Sequence, residues 1–291
     1  MRDITVINDS QQSELVTNGL AKNGELYLKA AGSTDAGAIV VYDSGSWRTF
    51  ANEASSFANQ YSVSFDGTND YVGVASDPGL DVYSTSLWFK TAESSFSLPI
   101  AGFGKNAYAR YGGIRFIPSV TGRAVEYNDG YQYIAAGGLS NSDVFDDAWH
   151  HVAIVFVASG YQTTTGTSST DGKGYKIFID GTRVDTVLAS TSHSYALATT
   201  SSFFAVGKER TSYYTGLIDE VAIFGSSLSD SDITDIYNSG VPTDLSSYSP
   251  TLWWRMGDDD GGTGTTVTDQ GSGGNNGTLT NGPTFSSSVP S

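Results

Sequence analysis

The sequence contains no cysteine in its 291 residues. Disulfide bonds, thiolate catalysis and cysteine-ligated zinc sites are therefore excluded. Histidine is scarce as well, with three residues, and the adjacent His150 and His151 would point to opposite faces of a strand. We therefore expect the histidines to serve in packing rather than in a metal cluster or a catalytic triad.

Basic residues are few, because 15 Lys and Arg stand against 31 Asp and Glu, for a formal net charge of -16. A field of this sign repels nucleic-acid phosphates and anionic membrane surfaces. We expect no nucleic-acid partner, whereas divalent cations are favoured. No apolar run is long enough to span a bilayer, so membrane insertion is not expected.

The first ten residues lack the apolar core of a secretion signal. The composition is nevertheless rich in glycine, tyrosine, serine and threonine, which is typical of proteins that work outside cells. This combination predicts a protein made in the cytoplasm that acts at an exposed surface.

Short apolar runs separated by turn residues predict strands throughout. Residues 61–65 and 71–74 flank a turn and are expected to form an adjacent strand pair. Residues 152–157 are apolar at both odd and even positions, which indicates a central strand covered on both faces. Asp180 and Gly181 supply the positive φ angles of a tight hairpin.

One short helix is predicted near residue 230. Ser229 or Asp230 can cap its start, and Gly240 can end it in the left-handed conformation. The Gly- and Asp-rich residues 257–282 predict an extended surface loop. The aspartates at 258–260 are interpreted as solvated, since the glutamate that would close an EF-hand is missing.

Five segments resemble, in the family's order, the laminin G-like, pentraxin-related branch of the concanavalin A-like lectin/glucanase superfamily. They are residues 65–71, 149–153, 176–181, 216–224 and 228–240. The resemblance implies an all-β, two-sheet antiparallel jelly-roll sandwich with one short helix. A sixth segment, 254–279, resembles the family's opening but follows the last strand, which predicts a circular permutation.

Residues 1–55 do not resemble this family and are expected to form a small β appendage. Within them, residues 37–43 and 47–50 resemble leader segments of bacteriophage fibre and virion surface proteins. The apolar run at 38–42 and the aromatic residues Trp47 and Phe50 have more apolar surface than a short hairpin can leave exposed to water. We predict that residues 1–55 attach the chain to an assembly or homo-oligomer, and that residues 56–291 form the permuted sandwich.

A metal site is suggested by residues 217–224, where strand parity turns either Asp219 or Glu220 into an apolar interior. A buried carboxylate needs a cation or several hydrogen-bond donors. The resemblance implies a structural Ca²⁺ held by Asp219 and by the turn at Asp66 and Gly67, and oxygen ligands suit this ion. The alternative is that these carboxylates accept backbone hydrogen bonds and join strand ends.

Glycosidases share this fold, and a retaining enzyme needs two carboxylates about 5–5.5 Å apart. The seven glutamates are isolated from one another in the sequence. We therefore predict no catalytic pair and a non-enzymatic protein, leaving open a pair formed only in space.

Tyrosines in turn-rich segments could stack on sugar rings, since tyrosine offers a flat apolar face and a hydroxyl. The candidates are Tyr108, Tyr111, Tyr131 and Tyr133. The alternative is ordinary sheet packing or subunit contacts.

These features together predict a structural protein on the surface of a bacteriophage virion, a capsid decoration, head fibre or tail appendage. It would contact other virion proteins and could adhere to glycans through a lectin-like domain. Assembly in the host cytoplasm and release by lysis would require no export signal. The alternatives are a bacterial carbohydrate-binding module or adhesin at the cell surface, and a glycoside hydrolase.

Overall fold

The computed structural model describes fifteen stretches of the chain. They are residues 5–7, 10, 26–29, 39–43, 46–50, 57–74, 79–94, 98–105, 111–116, 125–128, 133–136, 139–158, 174–188, 198–199 and 203–291. The chain divides into two compact units, Met1–Ala58 and Asn59–Ser291. Among the described residues, no helix has the length and apolarity needed to cross a membrane.

In the first unit, the described residues form one four-stranded sheet in the order β1-β2-β3-β4. Its strands are β1 (Thr5–Ile7), β2 (Leu26–Lys29), β3 (Ile39–Asp43) and β4 (Ser46–Phe50). Strands β3 and β4 pair antiparallel, with Trp47 opposite Tyr42 and Phe50 opposite Ile39. The backbone therefore places both predicted attachment residues on β4, and their role in assembly stays a prediction.

The second unit contains the remaining strands and one described α-helix. In chain order they are β5 (Ser62–Asp66), β6 (Tyr71–Gly73), β7 (Asp81–Val82), β8 (Ser84–Lys90), β9 (Leu98–Lys105), β10 (Tyr111–Phe116), β11 (Val125–Asn128), β12 (Tyr133–Ala136), β13 (Trp149–Ala158), β14 (Gly174–Ile179), β15 (Thr182–Arg183), β16 (Asp185–Leu188), β17 (Ala198–Thr199), β18 (Phe204–Val206), β19 (Lys208–Glu209), β20 (Ser212–Tyr213), β21 (Thr215–Phe224), α1 (Asp230–Tyr237), β22 (Leu252–Trp254), β23 (Thr266–Val267), β24 (Gly277–Thr280) and β25 (Thr284–Ser286).

Two large sheets dominate this unit. Counted over the described residues, the larger sheet has nine strands in the order β16-β12-β11-β10-β9-β18-β6-β24-β23. The smaller sheet has the order β15-β14-β13-β8-β21-β5-β25, with β22 also paired to β21. The pairings within both sheets are antiparallel. The predicted all-β antiparallel sandwich with one short helix is confirmed.

The core lies between the two sheets. Strand β10 shows the alternation that builds it, since Ile114 and Phe116 are fully buried whereas Arg115 is on the other face and partly exposed. Phe89 of the smaller sheet meets Phe116 of the larger one with ring centroids 4.5 Å apart. Burial of each such side chain stabilises the fold by about 1.5–3 kcal/mol.

The first two strands of the sandwich are not paired with each other, which corrects the predicted strand pair. Strand β5 pairs with β21 and β25 in the smaller sheet, whereas β6 pairs with β18 and β24 in the larger sheet. The turn between them carries the chain from one sheet to the other. Alternation in the sequence identifies both strands but contains no information on which partners they take.

Several local predictions are confirmed. Strand β13 is central, lying between β8 and β14. Asp180 and Gly181 have φ of 50° and 70°, as a tight hairpin between β14 and β15 requires. Ser229 caps α1 through a reciprocal pair of hydrogen bonds with Asp232. The helix ends earlier than predicted, because Asn238 already adopts the left-handed conformation that was expected at Gly240.

The segment 257–282 is not an extended loop, because it contributes β23 and β24 to the larger sheet. Asp258 is also not solvated. Its Oδ1 accepts hydrogen bonds from the backbone N–H groups of Gln60 and Tyr61, and its Oδ2 accepts one from Arg255. The C-terminal strands β24 and β25 lie beside β6 and β5, and the circular permutation itself stays a prediction.

Candidate functional site

The hairpin of β19 and β20 lies against the outer face of the larger sheet. Two glycines on neighbouring strands lie beneath it. A Cβ atom at Gly102 would lie 2.4 Å from the carbonyl oxygen of Lys208, and one at Gly113 would lie in ordinary contact, 3.4 Å, with the carboxyl carbon of Glu209. The absence of a side chain at Gly102 therefore allows the close approach of the hairpin.

Beneath the hairpin, two glutamates come together around one arginine. Arg115 donates from Nε to Oε1 of Glu126 over 2.8 Å, and Glu126 is buried. Glu209 is buried beside them. Burial raises the pKa of Glu209, the charge of Arg115 opposes this, and the charge of Glu126 adds to it. This grouping could not be predicted from the sequence, because the two glutamates are distant along the chain.

Beside the hairpin, the outer face of the sheet holds a cavity of about 470 Å³. Its volume lies within the range of about 300–1,000 Å³ that is usual for small-molecule sites. The lining combines aromatic and apolar groups with two basic side chains and a hydroxyl. The lining residues are Tyr71, Gly73, Val74, Phe203, Phe204, Ala205, Lys208, Arg210 and Thr211.

The Lys208 ammonium is held at this cavity by two aromatic rings. It lies 4.2 Å from the ring centroid of Tyr71 and 5.5 Å from that of Tyr213. Cation–π contacts of this kind fix a charge in place without neutralising it. We refer to Tyr71, Lys208, Arg210 and Tyr213 as the hairpin pocket.

None of the tyrosines predicted from the sequence is among the described residues that line this pocket. Tyr111 and Tyr133 lie in β10 and β12 of the larger sheet, on either side of β11. Tyr108 and Tyr131 lie outside the described residues. Their ligand-binding role stays a prediction. A sequence signal for the pocket did exist, since Lys208-Glu209-Arg210 places two bases together in an acidic chain.

The predicted calcium ligands are not brought together. Asp66 lies opposite Thr215 at the end of β5, four residues from Asp219 along β21. Four residues of strand span about 13 Å, whereas calcium ligands lie about 2.3–2.6 Å from their ion. This separation corrects the prediction that Asp66, Gly67 and Asp219 share one calcium ion. Gly67 is required sterically instead, because its φ is +78° and a Cβ there would lie 2.0 Å from the Thr215 hydroxyl.

Both carboxylates of the Asp219-Glu220 pair are buried, although strand parity predicted only one. The strand register shifts between Asp219 and Ala222, and Glu220 adopts a φ of +46°. This bulge interrupts the alternation, and both side chains are buried. Burial raises the pKa of Asp219 well above its ordinary value, and the charge of Glu220 raises it further.

Asp219 accepts a hydrogen bond from the side chain of Asn59. The Asn59 side-chain amide donates to Oδ2 of Asp219 over 3.0 Å, while the Glu220 backbone N–H donates to Oδ1 over 2.8 Å. Asn59 Oδ1 is buried and has no hydrogen-bond partner among the residues that the structure describes. A buried carboxylate beside an unpaired buried carbonyl oxygen is a donor set that fits a hard cation. Over the same described ranges, no group of three acidic or histidine side chains forms a metal centre.

The side chains of the two adjacent histidines lie on different faces of β13. His150 lies between Asp180 and Asp146, at 2.8 and 3.1 Å, and although burial alone would lower its pKa, these partners raise it. His151 is fully buried and lies 2.8 Å from the Ser86 hydroxyl. Burial lowers the pKa of His151 to about 4, against the opposing charge of Asp180. These contacts agree with the packing role that we expected.

A second cavity, of about 630 Å³, lies between the Asp180 turn and the end of α1. Its lining includes Asp180, Asp235 and Asp244 together with Tyr237 and Tyr248. Its acidic lining contrasts with that of the hairpin pocket.

Comparison with known families identifies the fold. The family model for the concanavalin A-like lectin/glucanases superfamily matches residues 66–234, which is more than half of the chain. The chain belongs to the concanavalin A-like lectin/glucanase superfamily. No curated protein matches it. The resemblance that the five sequence segments predicted is confirmed at the level of the superfamily.

Solved structures of this superfamily resemble the chain at low identity. A Bacteroides ovatus protein, proposed to bind carbohydrate, is 15% identical with a TM-score of 0.52, over 92% of this chain and 71% of that one. A heptameric SAP-like pentraxin from Limulus polyphemus is 10% identical with a TM-score of 0.40, over 62% and 82%. The sialidase module CBM40 of Ruminococcus gnavus, bound to α2,3-sialyllactose, is 14% identical with a TM-score of 0.39, over 60% and 96%. At these identities the likeness shows the fold alone.

Proposed function

We propose that this chain is a non-enzymatic, lectin-like protein that binds carbohydrate in the hairpin pocket. The observation that carries the proposal is the cavity itself, which combines an aromatic face at Tyr71 with fixed polar groups at Lys208, Arg210 and Thr211. Sugars are bound by such combinations, because their rings have apolar faces and their hydroxyls need hydrogen-bond partners. The Bacteroides ovatus protein described above, proposed to bind carbohydrate, has the same fold.

The position of the two glutamates supports a binding role rather than hydrolysis. A glycosidase needs its two carboxylates at the scissile bond. Glu126 and Glu209 are the candidates, but neither lines the described wall of the pocket, and both are buried beside Arg115. Their arrangement supports the hairpin from below. Hydrolysis of a polysaccharide panel by the wild type, lost in Glu209→Gln, would overturn the non-enzymatic proposal.

The binding proposal predicts the effect of removing the aromatic face. Tyr71→Ala should weaken binding to oligosaccharides on a glycan array by about tenfold, which corresponds to loss of one strong aromatic contact. Isothermal titration with the best array ligand measures the change. Tyr248→Ala is the matched control, because it removes a tyrosine from the second cavity. Equal affinity of wild type and Tyr71→Ala, or a loss confined to Tyr248→Ala, would place the site elsewhere.

We further propose that the protein acts on the surface of a bacteriophage virion. The support comes from the extracellular type of composition and the resemblance of residues 37–43 and 47–50 to phage leader segments. A bacterial carbohydrate-binding module explains the fold and the pocket equally well. Mass spectrometry of purified particles and of the cell-surface fraction separates the two. Recovery from the cell surface and absence from particles would contradict the virion role.

A structural calcium ion at Asp219 and Asn59 is also proposed. The support is the donor set, since Asn59 Oδ1 is buried without a partner among the described residues and Asp219 is fully buried. A cation there would stabilise the ionised form of Asp219 against burial and against the charge of Glu220.

The calcium proposal predicts a change in thermal stability. At 100 times its dissociation constant, calcium should raise the melting temperature by about 5–10 °C, and a chelator should reverse this. Asp219→Asn should lose the response. Asp66→Asn should keep it, because Asp66 lies four residues away along the paired strands. A wild-type melting temperature that is unaffected by calcium and chelator would rule out the ion.

A further inference from the structure

We infer that the hairpin pocket selects acidic sugars, with the Lys208 ammonium receiving the carboxylate of the ligand. The inference rests on the proposed carbohydrate-binding function and names the class of sugar. It follows from the charge left unbalanced in this pocket.

The lining of the pocket is basic, although the molecule is acidic. The chain carries 31 acidic residues and a net charge of -16, yet the described lining residues include Lys208 and Arg210 and no Asp or Glu. The second cavity shows the opposite character, with three aspartates in its wall. A local field of positive sign in a negative molecule favours an anionic ligand at this place over the rest of the surface.

The Lys208 ammonium is both fixed and unneutralised. The rings of Tyr71 and Tyr213 hold it, at 4.2 and 5.5 Å from their centroids. It makes no ion pair with a carboxylate of the described residues, whereas Lys90 and Lys176 each face an aspartate. A positioned ammonium without a counter-ion can receive a ligand carboxylate without first breaking an internal salt bridge.

Within the described ranges, the acidic residue between the two bases makes no ion pair with Lys208. Glu209 is buried under the hairpin, over Gly113 and beside Arg115, while Arg210 is exposed at the cavity. Successive residues of a strand point to opposite faces. The Glu209 carboxylate therefore points toward the sheet, whereas the Lys208 ammonium points toward the pocket. The hairpin thus turns the Glu209 carboxylate away from the Lys208 ammonium, while the charge of Arg210 still acts to lower the pKa of Glu209.

The test uses matched pairs of sugars that differ only in the acidic group. The probes are trigalacturonate with its methyl ester, and sialyllactose with its methyl ester, measured by isothermal titration against the full chain at low and high salt. We expect the acidic member of a pair to bind at least about tenfold more tightly, with the difference reduced by salt. A sulfated galactose oligosaccharide distinguishes carboxylate recognition from a general preference for anions.

The variants locate the effect. Lys208→Gln should lower affinity for the acidic sugar by about tenfold and for its neutral partner by much less, because the Gln amide can still hydrogen-bond a hydroxyl. Arg210→Gln should act in the same direction. Lys176→Gln is the matched control, because it removes the same charge where the lysine already faces Asp230. Its affinity should stay within twofold of wild type.

The outcomes separate the inference from the proposed function. Equal affinity for acidic and neutral members, with binding lost in Tyr71→Ala, would overturn the acidic selection and leave carbohydrate binding in place. Tighter binding of the sulfated sugar than of either carboxylate would also overturn it. If none of the saccharides binds at millimolar concentration, both fail together. Unchanged melting temperatures for Lys208→Gln and Arg210→Gln confirm that the variants report on the pocket and not on folding.

Discussion

Replacing Glu220 with alanine should destabilise the sandwich by about 3–5 kcal/mol, the loss expected when one partner of a buried ion pair is removed. Both oxygens of its carboxylate are engaged. The Trp253 indole donates to Oε2 over 2.7 Å and Arg255 donates from Nε to Oε1 over 3.2 Å. Burial raises the pKa of Glu220 to about 7, against the opposing effects of Arg255 and Trp253. Truncation would leave the indole and the guanidinium without this acceptor in a dry environment.

Urea denaturation measures this loss, with an unchanged slope indicating that the unfolding transition is otherwise the same. Glu220→Gln should cost less, because its amide oxygen can still accept one of the two bonds. Asp259→Ala is the control for the same arginine. Its carboxylate lies 3.8 Å from Arg255 and is partly exposed, so its loss should cost at most about 1 kcal/mol. A cost for Glu220→Ala no larger than that of Asp259→Ala would show that the buried pair contributes little.

Local features of the fold were predictable from the sequence because a few adjacent residues determine them. Asp180 and Gly181 specify a hairpin through their tolerance of positive φ, and Ser229 specifies a helix start through its hydroxyl. The apolar residues of β13 likewise indicate a central strand. In each of these cases the physical cause lies within one turn or one strand.

The contents of the site were not predictable, because they depend on which strands become neighbours. Glu126 and Glu209 meet only when β19 folds over β10 and β11, and no spacing in the sequence encodes this. The burial of both Asp219 and Glu220 was not predictable either. One extra residue in a strand breaks the alternation of side chains from which their orientation was predicted. The family resemblance indicated the correct fold but assigned Asp66 and Asp219 to one calcium site. Asp66 lies opposite Thr215, which is four residues from Asp219 along β21.

The approach of the hairpin to the sheet gives the second large expected effect. Gly102→Ala should weaken binding in the hairpin pocket by more than about tenfold and cost about 1–3 kcal/mol of stability, as overpacking does. The added Cβ would lie 2.4 Å from the Lys208 carbonyl oxygen and 3.3 Å from the Glu209 Cα. Both atoms belong to the backbone, so the clash can be relieved only by moving the hairpin. Such movement would withdraw Lys208 from the rings of Tyr71 and Tyr213.

Gly225→Ala is the matched control for this substitution. Neither glycine has a positive φ, so backbone strain is equal, and the Cβ at Gly225 meets only the Thr251 methyl group at 3.3 Å. Titration with the oligosaccharide bound by wild type gives the affinities, and thermal melting gives the stabilities. The control should match wild type in both. If Gly102→Ala retained wild-type affinity while losing stability, the hairpin would support the sheet without positioning the pocket, because the clash would then have moved β19 with no effect on the ligand.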